Sequence, residues 1–204
     1  KDDYHRPADY PAPDKALQER MLQSLDRIDW NGLAYQDKLD LLRAYELVLI
    51  RLGAPAAATR ERLIAKFDPL LPASQRELNW DLAEMLAYLD APSAPVKLMA
   101  LLRNAPSAPY YQVREYINPI LRQRGNPGMT GPQGETNATL MKQEDQQQYA
   151  ELLRVVHNGW TRELREEYFR WFPMAASSYR GGSAFVAGLM TMRADAISQL
   201  PEAE

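Results

Sequence analysis

The chain has 204 residues, 46% of them hydrophobic and 25% charged, the balance of a globular protein rather than a disordered or fibrous one. Cysteine is absent, which excludes disulfides, thiolate metal sites, cysteine nucleophiles and CxxCH attachment of heme within this stretch. The formal net charge is -3 with both signs interspersed, so no basic stripe marks a nucleic-acid surface, and no apolar run approaches the roughly 20 residues that membrane insertion requires.

Lys1 opens the chain without methionine, and Tyr4 to Pro13 is rich in Pro, Asp and Tyr without periodicity. We read residues 1–13 as a linker and the chain as a piece of a longer protein. Apolar residues then recur at helical spacing almost to the end, with no alternating run of β-branched residues, which predicts an all-α domain over residues 14–200. A helix after Asp14, ending near Asp29, is expected to bury Leu17, Met21, Leu22 and Leu25. A second, from Gln36 to Leu52, turns Leu41, Leu42, Tyr45, Val48, Leu49 and Leu52 inward. Helices from Thr59 to Phe67, from 74 to 89 and from Val96 to Leu102 follow, with Ser74-Gln75-Arg76-Glu77 as a capping box for the middle one.

Residues 125–137, with four Gly-X-Y triplets but little apolar content, read as a mobile surface loop, too short for a collagen helix. Asn137-Ala138-Thr139 fits a glycosylation acceptor pattern. Helix resumes from Gln143 to His157 with Tyr149, Leu152, Leu153 and Val156 inward, and Asn158-Gly159 ends it. Thr161 caps an aromatic helix carrying Leu164, Tyr168, Phe169, Trp171 and Phe172, expected to break at Pro173. A final helical stretch from Ser183 to Leu200 buries Phe185, Val186, Leu189, Met190 and Ile197, and 201–204 is a tail.

Leu52-Gly53-Ala54-Pro55 returns as Leu89-Asp90-Ala91-Pro92, an offset of 37 from 52 to 89. The preceding helices keep that register: Leu41, Tyr45, Val48 and Leu49 correspond to Leu78, Leu82, Met85 and Leu86. A looser third copy carries Val113, Ile117, Ile120 and Leu121. Units of about 35 to 45 residues built from two helices fit HEAT or armadillo repeats, which bury their apolar faces on their neighbours in an α–α superhelix. The alternative is an irregular helical bundle.

Little in the chain looks catalytic. His5 and His157 are the only histidines, and neither has metal-ligand spacing to a partner. Carboxylate pairs such as Asp81 with Glu84, or Glu163 with Glu167, read as solvated helix faces. Arg180, Gly181, Gly182 and Ser183 form a candidate anion or partner contact, because a Gly-Gly turn into a helix start presents free N–H groups beside a guanidinium. The aromatics around Trp171 have the helical spacing of a core. No catalytic, cofactor-binding or metal-binding residue is predicted.

Leu39 to Tyr45, Ile50 to Gly53, Phe67 to Pro72, Arg76 to Asn79, Tyr88 to Ser93, Gly159 to Arg165, Tyr168 to Phe172 and Tyr179 to Phe185 together carry a resemblance. The chain resembles the helical segment of large multidomain bacterial heme-binding proteins of the planctomycete type. It does so over most of 36–200, with Ser107 to Leu140 departing as an insertion. The resemblance implies a HEAT-like array in a periplasmic or otherwise exported protein, beside a propeller domain resembling sugar dehydrogenases and a c-type cytochrome domain. Without cysteine the heme motif is missing, so electron transfer does not carry over to these residues. The expected function is a non-catalytic helical scaffold or protein-interaction domain whose partners are protein domains, including the cytochrome c and propeller domains of the same parent. The alternative is a docking or substrate-site wall of an oxidoreductase and cytochrome assembly.

Overall fold

The computed structural model describes residues 12–105, 135–178 and 183–200, and every regular element among them is helical. The chain is all-α. It divides into two compact units, Lys1–Pro69 and Leu70–Glu204, where the sequence reading has one helical domain over 14–200.

The first unit holds α1 (Lys15–Asp26), α2 (Tyr35–Leu52) and α3 (Ala57–Phe67). Asp14 caps α1 by accepting from the Leu17 N–H at 3.0 Å, satisfying one of the donors that a helix start leaves free. The buried stripe of α2 is Leu41, Leu42, Tyr45, Val48 and Leu49, as its spacing predicts except at Leu52, which is only half-buried; Leu22, Leu63 and Phe67 are buried in the same unit. Tyr45 packs edge-on to Phe67, ring centres 5.0 Å apart.

The α1 stripe differs from expectation. Leu17 and Met21 are exposed, and Gln18 is buried in their place beside Leu22. The reason is polar. The Gln18 amide donates to the Gly53 carbonyl, while the Lys15 ammonium donates to Leu52 O at 2.6 Å and Ala54 O at 2.8 Å. The carbonyls at the end of α2 thus find donors on α1, with a cation at the negative end of the helix dipole.

The second unit holds α4 (Arg76–Tyr88), α5 (Ala94–Arg103), α6 (Glu135–Leu153), α7 (Arg162–Ser178) and α8 (Ser183–Ser198). Leu78, Leu82, Met85 and Leu86 of α4 are buried. So are Leu98, Met99 and Leu102 of α5. Helix α6 lies against α4 and α5, and α7 against α5 and α8. Two side-chain bonds stitch these layers: Gln146 donates to Leu102 O at 2.7 Å, and the Tyr168 hydroxyl to Ala150 O at 2.8 Å.

Four expectations in this unit are corrected. No capping box opens α4: Gln75 is the cap residue without a side-chain bond, and the Ser74 hydroxyl turns to Gln75 Oε1. The side chain of Asn79 instead braces the entry to α4, bonding both the N–H and the carbonyl of Ala73. Helix α6 begins at Glu135, absorbing 135–137 of the expected loop and the Asn137-Ala138-Thr139 sequence, because neither Gly nor Pro interrupts the chain between Gly134 and Asn158. Pro173 sits inside α7 without ending it; burial of Trp171, Phe172 and Ala175 on either side holds the helix across the missing N–H. In α8 only Leu189 and Ala196 are buried, and Met190 and Ile197 face out. The third repeat copy, residues 125–134 of the loop, and the tail lie outside the described residues, as does the linker up to Pro11.

The repeated Leu-x-Ala-Pro sequence has a counterpart in the backbone. Gly53 at φ 78° and Asp90 at φ 52° are both left-handed, each ending one helix before an Ala-Pro step into the next. Gly53, with ψ -172°, lies where essentially only glycine goes, and Asp is among the few other residues that tolerate a positive φ.

Candidate functional site

Two polar clusters lie between helices. In the first unit, Asp26 accepts from the Tyr45 hydroxyl at 2.7 Å and the Lys66 ammonium at 3.1 Å, and pairs with Arg62. Glu19 accepts from Thr59 at 2.5 Å and Arg62 at 3.0 Å. Burial, reinforced by the neighbouring Arg62, lowers the Lys66 pKa, and burial raises that of Tyr45. Every member is paired, so the cluster ties three helices together.

In the second unit, Asp145 of α6 is fully buried. Its Oδ1 accepts from Arg76 Nε at 2.6 Å and Trp80 Nε1 at 3.1 Å, while Oδ2 has no hydrogen-bond partner among the described residues. Arg76 also reaches Glu144 at 3.1 Å and lies 4.1 Å over the Trp80 ring. Burial outweighs the guanidinium and raises the Asp145 carboxyl above the usual carboxylate range. A carboxyl that holds its proton more tightly folded than unfolded makes stability fall as pH rises through its raised pKa. Asp145→Asn, which mimics the neutral acid, is therefore expected to melt above the wild type at neutral pH, with the gap closing as pH falls into the ordinary carboxylate range. Thermal melts across that range check this; a gap of constant size would show that the charge is not its cause.

The surface with the most to offer a ligand is the outer face of α7. Thr161 starts the helix, its hydroxyl accepting from the Leu164 N–H at 3.3 Å. One side of α7 carries Tyr168, Trp171, Phe172 and Ala175 into the core, with Tyr168 and Phe172 5.1 Å and Trp171 and Phe172 5.2 Å apart, both edge-on. Burial raises the Tyr168 hydroxyl pKa, keeping it neutral as a donor. The opposite side borders an open groove of about 670 Å³, lined by Arg162, Arg165, Glu166, Phe169, Arg170 and Pro173 together with Leu200. Three arginines face one glutamate there. Glu166 holds Arg162 at 3.0 Å and Arg170 at 3.2 Å, and the Arg165 guanidinium stands 5.6 Å from the Trp160 ring.

Guanidinium groups in a row favour carboxylates, which they bind two bonds at a time. Phe169 and Pro173 add an apolar floor. Above the core side, a crevice bounded by Arg154, Trp160, Tyr168 and Ala196 measures about 20 Å³, room for a single water.

Of the predicted contact, Arg180, Gly181 and Gly182 lie outside the described residues, and Ser183 is the exposed first residue of α8. His157 is exposed, and its backbone N–H donates to Asp90. Glu167, one of the paired carboxylates, binds Arg103 of α5 at 2.6 and 3.2 Å. No group of three or more metal-ligating side chains occurs among the described residues, nor is any helix among them long and apolar enough to cross a membrane. The groove is not among the sequence expectations, because the aromatics of α7 dominate its pattern. Its signal was present in Arg162, Arg165, Glu166 and Arg170, whose spacing sets them along one helical face.

Compared with protein-family models, curated proteins and solved structures, the chain matches none of them.

Proposed function

We propose that the chain is a non-catalytic helical scaffold that docks protein partners, and that the outer face of α7 takes an acidic segment of one of them. The groove carries this reading: an open surface with excess positive charge and an aromatic floor, on a chain whose net charge is -3. Helix pairs α2–α3 and α4–α5 are taken as successive units of a HEAT-like superhelix, a reading supported by their shared left-handed joint. By sequence resemblance the chain is a segment of an exported bacterial multidomain protein, with propeller and c-type cytochrome domains as candidate partners. Burial of Tyr168, Trp171 and Phe172 weighs against the aromatics forming the wall of a substrate site.

The test is a fluorescence-anisotropy titration with a labelled peptide alternating Glu or Asp with apolar residues, beside a neutral peptide of the same length. The acidic peptide is expected to bind, and binding to weaken as salt rises. Charge reversal in the Arg162→Glu, Arg170→Glu double variant is expected to weaken it by about tenfold or more, equivalent to about 1.4 kcal/mol. Equal binding of the neutral peptide, or an unchanged double variant, would overturn the assignment.

A further inference from the structure

The turn between α4 and α5 and the turn between α6 and α7 are joined by one carboxylate. Asp90 Oδ1 accepts the backbone N–H of His157 at 2.8 Å and of Asn158 at 3.0 Å, and Oδ2 accepts Asn158 Nδ2 at 2.6 Å. Gly159, at φ 83°, brings its backbone so close to Pro92 that a Cβ there would lie 1.8 Å from the Pro92 carbonyl oxygen. Asn158 and Gly159 are exposed. An asparagine followed by glycine is the pair in which a neighbouring amide nitrogen meets least steric resistance on its way to the side-chain carbonyl carbon.

We propose that Asn158-Gly159 is a deamidation site guarded by Asp90, and that its modification opens the joint irreversibly. The Gly159 amide nitrogen, giving up its proton to solvent base, attacks Asn158 Cγ. A carbon–nitrogen bond closes a five-membered succinimide, and the side-chain nitrogen leaves as ammonia. Water then opens the ring to aspartate or isoaspartate; no oxidant or reductant is needed. While the joint is closed the carboxamide is held on Asp90, so the reaction proceeds from the locally open state. The product places a carboxylate where the donor stood, against Asp90 Oδ2. Two carboxylates at that separation cannot both ionise without strong repulsion, so the clasp does not re-form. In residues 89–93 and 154–161 the titratable side chains are Asp90, Arg154 and His157.

The experiment has two arms. Wild type and Asp90→Gly, which keeps a left-handed residue while deleting the carboxylate, are held in mildly alkaline buffer, and the peptide containing Asn158 is followed by mass spectrometry. Asn158 is expected to convert in both, and at least severalfold faster in the variant. In the second arm, Asn158→Asp is expected to melt below the wild type at neutral pH and to recover in acid as the carboxylates protonate. Asn158→Ala, which deletes the side-chain donor without adding charge, is expected to lose less and to show no such recovery. An Asn158 that stays intact in both proteins, equal rates in the two, or an Asn158→Asp that melts with the wild type would each overturn the proposal.

Discussion

Trp171→Ala is expected to destabilise the protein by about 3–5 kcal/mol, read as a fall in the midpoint of urea unfolding. Trp171 is 4% exposed and stacks edge-on against Phe172, which in turn meets Tyr168. The Tyr168 hydroxyl then bonds α6 through Ala150 O. Removing the indole leaves a cavity beneath α7, and the fixed neighbours cannot collapse into it. Phe169→Ala, half-exposed at the groove, is expected to cost far less in stability and to weaken the acidic peptide instead. A Trp171→Ala protein as stable as the wild type that had lost peptide binding would move Trp171 from the core to the docking face.

An equally large loss is expected for Gly159→Ala. The added methyl would lie 1.8 Å from the Pro92 carbonyl oxygen and 2.6 Å from its carbon, both backbone atoms that cannot rotate aside. The residue would also have to keep φ 83°, which an L side chain resists. Together these are worth about 3 kcal/mol or more. Gly188→Ala is the matched control. A Cβ at Gly188 meets nothing within 4 Å, and in a helix interior alanine is favoured over glycine by about 0.5–1 kcal/mol. Thermal melts of the pair should therefore move in opposite directions, and a mild Gly159→Ala would show that the two turns are free to separate.

Helix positions and most of the core could be read from the sequence because burial follows a period of 3.6, as Leu41, Leu42, Tyr45, Val48 and Leu49 illustrate. The failures share a cause, since hydrogen-bond demand from residues distant in sequence is invisible to periodicity. Gln18 is buried in place of Leu17 because the end of α2 needs donors. Ser74 has a capping-box pattern, but the helix starts one residue later and Asn79 does the bracing. Pro173 breaks a helix by propensity and is overruled by the aromatics packed around it. Along α8 the composition is apolar on nearly every side, so spacing alone could not tell Leu189 from Met190. The basic groove needed the placement of Leu200 beside α7, which no local pattern announces.

The left-handed joint also bears on how such a chain can diverge. At Gly53 the turn is held from outside, by Lys15 and Gln18 reaching its carbonyls. At Asp90 the turn reaches out itself and gathers N–H groups from another turn. Both residues have positive φ, 78° and 52°, and both turns accept hydrogen bonds, one through backbone carbonyls and the other through a side-chain carboxylate. Two helix ends that meet the need for a positive φ with different residues and different contacts can part in spelling while each keeps its turn. Shape can then outlast recognisable ancestry in the letters.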